Sequence, residues 1–450
     1  MHYLDRLSQF TAEMDYSQLN EQVQDQVGWI LADTVAATAA GSAEPELRAL
    51  ASRQSRSESA TLIGLGRRGT CETAAFINGT AGTFLEMDEG NRFSRGHPAV
   101  HVVAAAIALA EEREASAEDL LAGLVAGYEV GSRFGAASQL RGAMHPHGTW
   151  GTLGAAAACA RIAHFSASAV REALNIASSL TTATSKKTML EGGLVRNTYA
   201  GLSNRNGLLA IDLVECGFTG ERDGPSSLLG QIISEQFRPE EVIRDLGQDW
   251  HLMHNYFKLH SCCRYNHGTL DAIDELAARD GLPSADQIDR IEVQTYHLAA
   301  ELDDPAPTNT LAAKFSVPFA VATRIVNGSS ALESFTWEAV RDPRVLELAG
   351  RVHLTHDPQM SARLPMERPA RVSIRLKTGQ ERIGQAGVNR GDDAAPYSRE
   401  ELRGKFMNLA ERIWSRQQSH ELLEATLGLA RLQVPLRRWL ALLSRPPATT

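Results

Sequence analysis

Cysteine is scarce in this chain of 450 residues. Cys71, Cys159, Cys216, Cys262 and Cys263 are odd in number and scattered, which suits a reducing compartment and offers no disulfide framework. The adjacent Cys262-Cys263 is not a CxxC, and no three-cysteine spacing exists for an iron–sulfur cluster. A basic block is missing too. Lys and Arg number 45 against 54 Asp and Glu, for a net charge of −9, so the clustered cationic face that nucleic acid requires is not offered. Long apolar runs are also absent. Residues 102–110 (VVAAAIALA) and 152–163 (TLGAAAACARIA) are too short or too polar to span a bilayer. The opening MHYLDRLSQFTAEMDYSQLN carries Asp5, Glu13 and Asp15 and no apolar segment. Neither a signal peptide nor a membrane partner is expected, and the expected location is the cytoplasm.

What is present is helical periodicity. Apolar residues recur at three- and four-residue spacing in QVGWILADTVAATAAG, VVAAAIALAEERE, AEDLLAGLVAGYEVGSRFG, AVREALNIASSL and RNGLLAIDLVECG. Several of these segments end in glycine, a common helix stop. After about His267 the texture changes: DQIDRIEVQTY, RVHLTHD and ARVSIRLKTGQERI alternate or are β-branched, and Lys377-Thr378-Gly379-Gln380 reads as a hairpin turn. The expected fold is mainly α, with a large all-α helical domain over residues 1–260 and a smaller α/β lid domain over 261–395. Helices over 396–450 rejoin the first domain or cap the second. Two domains agree with the length.

Four stretches carry candidate chemistry. GLGRRG (64–69) is a literal GxGxxG after a strand-like SATLI. The following TCETAAFINGT is expected to break at Asn78-Gly79 and no second parallel strand is in reach, so a glycine-rich turn is expected instead of a dinucleotide site. LEMDEGNRFSRGHPAV (85–100) concentrates Glu86, Asp88, Glu89, Arg92 and His97. A helical FLEMDE would set Glu86 and Glu89 on one face with Asp88 elsewhere. Pro98 would start the next helix, with His97 at its positive end, where an anion is stabilised. A solvated acidic turn with a capping histidine is the plainer alternative.

MHPHGTWGTLGAAAACARIA (144–163) repeats the pattern, with His145, His147, Thr149 and Thr152 before an alanine-rich helix. Two histidine loops at helix entrances raise the prospect of one shared pocket. NYFKLHSCCRYNHGTLDAIDEL (255–276) gathers Lys258, His260, Arg264 and His267 where the texture changes, and interdomain clefts favour ligands. His251 and His254 form an HxxH without a nearby acidic ligand, so no metal site is expected. The cysteine pair reads as structural.

These segments, in this order, resemble the MmgE/PrpD family, which includes 2-methylcitrate dehydratase, cis-aconitate decarboxylase and iminodisuccinate epimerase. The matching stretches are AAFINGTAGTFLEMDEGNRFSRGHPAVHVVAAAIALAEE, HPHGTWGTLGAAAACARI, VRNTYAGLSNRNGLLAIDLVECGFTG, and KLHSCCRYNHGTLDAI followed by AAKFSVPFAVA. They run from about residue 20 to 410. The resemblance implies a helical domain with an α/β lid, a homodimer, and a reaction without metal or organic cofactor. It carries the family's acidic motif onto Glu86 and Asp88, its His-Pro residues onto His97 and His145, two lysine positions onto Arg196 and Lys258, and a lid tyrosine onto Phe319. Glu86, Arg196 and Phe319 depart from the family's usual Asp, Lys and Tyr. Arginine clamps a carboxylate but does not exchange protons near neutrality, and phenylalanine has no proton to give.

The implied substrate is a small di- or tricarboxylate, whose charges need local cations on burial. His97, His145, Asp88 and Lys258 are the expected catalytic set. Glu86, Arg92, His147, Thr149, Arg196, Arg264, His267 and Phe319 are the expected substrate-binding set. A cofactor-independent hydro-lyase that removes a Cα proton leads. An epimerase, mildly favoured by Arg196 and Phe319, and a decarboxylase are alternatives, and a carboxylate-binding protein without chemistry is a fourth reading.

Overall fold

The computed structural model describes residues 2–448. Helices dominate. Those that build the site are α1 (Glu21–Gly41), α2 (Cys71–Thr83), α3 (Pro98–Glu112), α4 (Ala117–Ala137), α5 (Trp150–Ile162), α6 (Thr198–Glu215), α7 (Arg264–Asp280), α8 (Val317–Val326), α9 (Arg399–Ala410) and α10 (Arg416–Ala430). α4 lies along α5, α6 crosses α2 and α5, and α3 packs on α2 and α5.

The abundance of alanine and glycine explains how these backbones come so close. A Cβ on Gly127 of α4 would lie 2.7 Å from the Gly154 carbonyl of α5, and one on Gly154 would lie 2.8 Å from that of Gly127. Both are under van der Waals contact, so any side chain there forces the helices apart. Asn78-Gly79, expected as a break, lies inside α2. The Asn78 side chain is spent on Ile63 N–H and the Thr61 carbonyl, while Gly79 lets α6 approach at Gly201. A tertiary partner for each residue overrides the local turn preference. GLGRRG is the turn of a hairpin in which Ala60–Leu62 pairs with Arg67–Gly69, with Gly64 and Gly66 at positive φ.

A second hydrophobic cluster gathers residues from 262 to 376 and Met189. Its sheet has strands β1 (Ile288–Thr295), β2 (Val352–His356), β3 (Ala370–Leu376) and β4 (Glu381–Ala386) in the order β4-β3-β1-β2. β1 and β2 run parallel and the other pairs antiparallel. The turn at Lys377-Thr378-Gly379-Gln380 joins β3 to β4, with Gly379 at φ 88°. Ile291, Val293, Val372 and Ile374 bury one face with Leu270, Ile273 and Leu276 of α7. The closing helices α9 and α10 pack on α1, and Phe406, Leu409, Leu422 and Trp439 join the first cluster. Among the described residues no helix is long and apolar enough to cross a membrane.

Candidate active site

A helical FLEMDE (84–89) would carry Glu86 and Glu89 on one face. Instead α2 ends at Thr83 and Glu86 takes a left-handed conformation, φ 55°. Glu86 and Glu89 therefore share no helical face. Gly90–Asn91 then pairs antiparallel with Asn255–Tyr256; a Cβ at Gly90 would meet the Tyr256 hydroxyl at 2.3 Å. This short pairing carries Lys258 to the acidic segment.

Three buried lysines fix that segment. Lys314 donates to the Leu85 carbonyl (3.3 Å), Lys258 to that of Glu86 (3.1 Å) and Lys405 to that of Met87 (2.6 Å). The Lys258 ammonium also lies 3.5 Å from both Glu86 Oε2 and Asp88 Oδ1. Burial would discharge it, but the Asp88 and Glu86 charges prevail and hold its pKa above the ordinary lysine value. Burial likewise pushes Asp88 up, and the His97 contact and the Lys258 charge more than reverse this, leaving it well below the usual carboxylate range. Lys314 faces only neutral oxygens and the Phe335 ring, and burial takes it down to about 8. The other Glu86 oxygen pairs with Arg196, whose guanidinium lies over Phe315. Two of the residues that depart from the family's usual types thus form one ion pair.

His97 immediately precedes α3, ahead of Pro98, as its sequence position implied. Its Nδ1 touches Asp88 Oδ2 (2.8 Å) and the Glu89 carbonyl (2.7 Å). Two acceptors at one nitrogen put the proton on Nδ1 and leave Nε2 as the basic atom. The group at the start of α3 is the Glu89 carboxyl, which accepts from Ala99 N–H at 2.9 Å and from Tyr128 at 3.0 Å. Burial, with help from Asp33 and Asp88, raises Glu89 to about 8.

The second histidine loop is tied down by Thr184, whose hydroxyl donates to the His145 and His147 carbonyls. His145 Nδ1 accepts from His147 N–H (3.0 Å), so its proton is on Nε2, the opposite tautomer to His97. Burial, reinforced by the Arg196 charge, keeps both His145 and His147 well below the ordinary histidine pKa, hence neutral. The rings meet edge to face: His147 lies 5.0 Å from His97, 4.7 Å from His145 and 4.7 Å from His101.

These residues open on a cavity of about 460 Å³. Glu86, His97, His145, His147, Arg196 and Arg264, all expected from the sequence, line it. The other expected residues do not reach its wall. Asp88 and Lys258 stand behind Glu86 and His97. Arg92 is held bidentately by Asp393, which also binds His254. Thr149 is buried with its hydroxyl on the Pro146 carbonyl. His267 is enclosed by Arg264 and His260. Phe319 faces the second core against Phe335, because Ser316 caps α8 through Phe319 N–H and turns that side inward.

Sequence reasoning missed His101, Arg368 and Tyr256. His101 falls four residues after His97 on α3, a spacing visible in HPAVH, and is sealed with both ring nitrogens unpartnered. Arg368 gave no signal. Among the described residues no group of three His, Cys, Asp or Glu side chains has metal-holding geometry. His251 and His254 instead bind Ser132, Asp249 and Asp393, and all five cysteines are free.

The MmgE/PrpD N-terminal domain model matches residues 5–227, and the C-terminal domain model matches residues 260–429. The chain belongs to the MmgE/PrpD family. A cis-aconitate decarboxylase-like protein of Aspergillus oryzae is 24% identical over 405 residues, 82% of each chain. Cis-aconitate decarboxylase of Aspergillus terreus is 24% identical over 399 residues, 82% of this chain and 81% of that one. The mouse cis-aconitate decarboxylase is 26% identical over 364 residues, 76% and 72% of the two chains.

Proposed function

We propose that this member of the family is a lyase of the 2-methylcitrate dehydratase type, which forms a carbanion beside a carboxylate of a small di- or tricarboxylate. The observation that carries the reading is the pair of opposite imidazole tautomers on one cavity. Asp88 orients His97 so that its Nε2 takes the Cα proton, and neutral His145 presents Nε2–H to the enolate oxygen that develops. A positioned base of this kind contributes roughly 10²–10⁴ in rate, and a fixed neutral donor stabilises the developing charge by its hydrogen bond without transferring its proton. In dehydration the carbanion expels the β-hydroxyl, which leaves as water with the proton from His97. Lys258 acts from behind, neutralising Glu86 and Asp88. Residues 261–395 form the lid, and they contribute Tyr265, His297, Phe315 and Arg368 to the lining.

Decarboxylation is the second reading, favoured by the names of the relatives. There the carbanion arises by loss of CO₂ and is quenched by a proton, in the same cavity. Epimerisation loses half of its support, since Phe319 lies away from the lining.

Incubation with 2-methylcitrate and with cis-aconitate in D₂O, followed by NMR, tests the reading. Water loss from the first or CO₂ release from the second is expected, with His97→Gln and His145→Ala each lowering kcat by about 10²-fold or more. Undiminished turnover in either variant would remove that imidazole from the chemistry.

A further inference from the structure

The buried charges on the cavity balance in pairs, with one exception. Glu86 and Asp88 are matched by Arg196 and Lys258. Arg264 is matched by Asp392 at 2.8 Å; Lys186, on the lining but partly exposed, pairs with the exposed Glu301. Arg95, also on the lining, is exposed to water. Arg368 remains. Only 5% of it is exposed, it lines the cavity just ahead of β3, and its Nη1 is sealed with no hydrogen-bond partner among the described residues. Its support is the Tyr256 ring, 5.4 Å from the guanidinium carbon, a ring that Arg264 covers at 4.4 Å.

A buried guanidinium with no hydrogen-bond acceptor is costly: the Tyr256 face and the charge of Asp392, itself paired with Arg264, attract it but leave its N–H donors unmet. Such a group has the geometry for a planar, bidentate anion, and a carboxylate fits it. Tyr256 and Tyr265 line the same cavity. We propose that Arg368 is the specificity-determining cation of the cavity. It takes a carboxylate of the substrate other than the one activated beside the imidazoles, so the site selects di- and tricarboxylates over monocarboxylates. This rests on the polycarboxylate reading above and names the residue that enforces it.

The test is calorimetric titration of the full chain with tricarballylate, an unreactive tricarboxylate, and with butyrate as the monocarboxylate control. Losing a charged bidentate contact lowers affinity roughly 10- to 100-fold. That loss is expected for Arg368→Met with tricarballylate, with butyrate unaffected and a smaller loss for Arg368→Lys. Ligand-free Arg368→Met is expected to melt no lower than wild type, since the arginine has no hydrogen-bond or salt-bridge partner to lose and methionine can pack on the Tyr256 ring in its place. Equal tricarballylate affinity in wild type and Arg368→Met overturns the proposal while leaving the polycarboxylate reading intact. A markedly lower melting point of the ligand-free variant overturns it as well, marking a structural cation. Failure of Arg368→Met to fold counts with that outcome, and unchanged tricarballylate affinity in Arg368→Lys is fatal independently. A wild-type chain that ignores tricarballylate overturns the polycarboxylate reading itself.

Discussion

Individual side chains earn their roles here from what they touch, and Phe319 is the clearest instance. By its place in the motif it stands where the family usually has tyrosine, yet it is fully buried among apolar neighbours. A hydroxyl added there gains no access to the cavity and has to be desolvated. Phe319→Tyr is therefore expected to leave turnover per folded molecule unchanged while lowering stability by about 1–3 kcal/mol, read by denaturant titration beside an activity assay. A gain in activity would return this position to the site. The same logic separates what the sequence made legible from what it did not. His97, His145, Glu86 and Arg196 sit in compact polar motifs at helix entrances, and the cavity receives them. Arg368 is a lone arginine before a strand, and its meaning comes entirely from the missing acceptor, which is a property of the folded neighbourhood.

At the level of elements, helix identity was written in the periodicity, whereas helix ends were decided by contacts from afar. Asn78-Gly79 stays helical because α6 and the hairpin receive it. FLEMDE unwinds because three lysines take its carbonyls away from helical partners. The start of α3 has its own distinctive feature, a carboxyl raised to about 8 by burial. Folded Glu89 keeps a proton that the unfolded carboxyl releases above its ordinary value of 4.5. Its stabilising contribution is full below that value and is lost as pH rises through about 8. Glu89→Gln removes the titration and keeps an acceptor for Ala99 N–H. Thermal melts are expected to show the two proteins alike near about pH 5 and the variant more stable near about pH 9. Parallel curves across that range would contradict a proton on Glu89.

For the whole molecule, the first hydrophobic cluster is assembled from both ends of the chain. Leu402, Phe406, Leu409 and Leu422 share that cluster with α1, on which their helices pack, although some 370 residues separate them. A fragment of residues 1–260 is therefore expected to be insoluble or molten, by near-ultraviolet dichroism, and to recover a cooperative transition when co-expressed with residues 396–450. An independently folded fragment would show that the closing helices are dispensable. The strand-like texture begins after about His267, but no periodicity could say which body the last helices join, because an amphipathic face fits either.

The grip on Leu85, Glu86 and Met87 has a consequence for when this protein becomes competent. Its three cationic fingers arrive from residues 258, 314 and 405, one before α7, one before α8 and one on α9. The acidic strip can adopt its bent course only after all three arrive. Competence is thus a late event of maturation: a nascent or half-assembled polypeptide holds the right histidines but not the backbone that aims them.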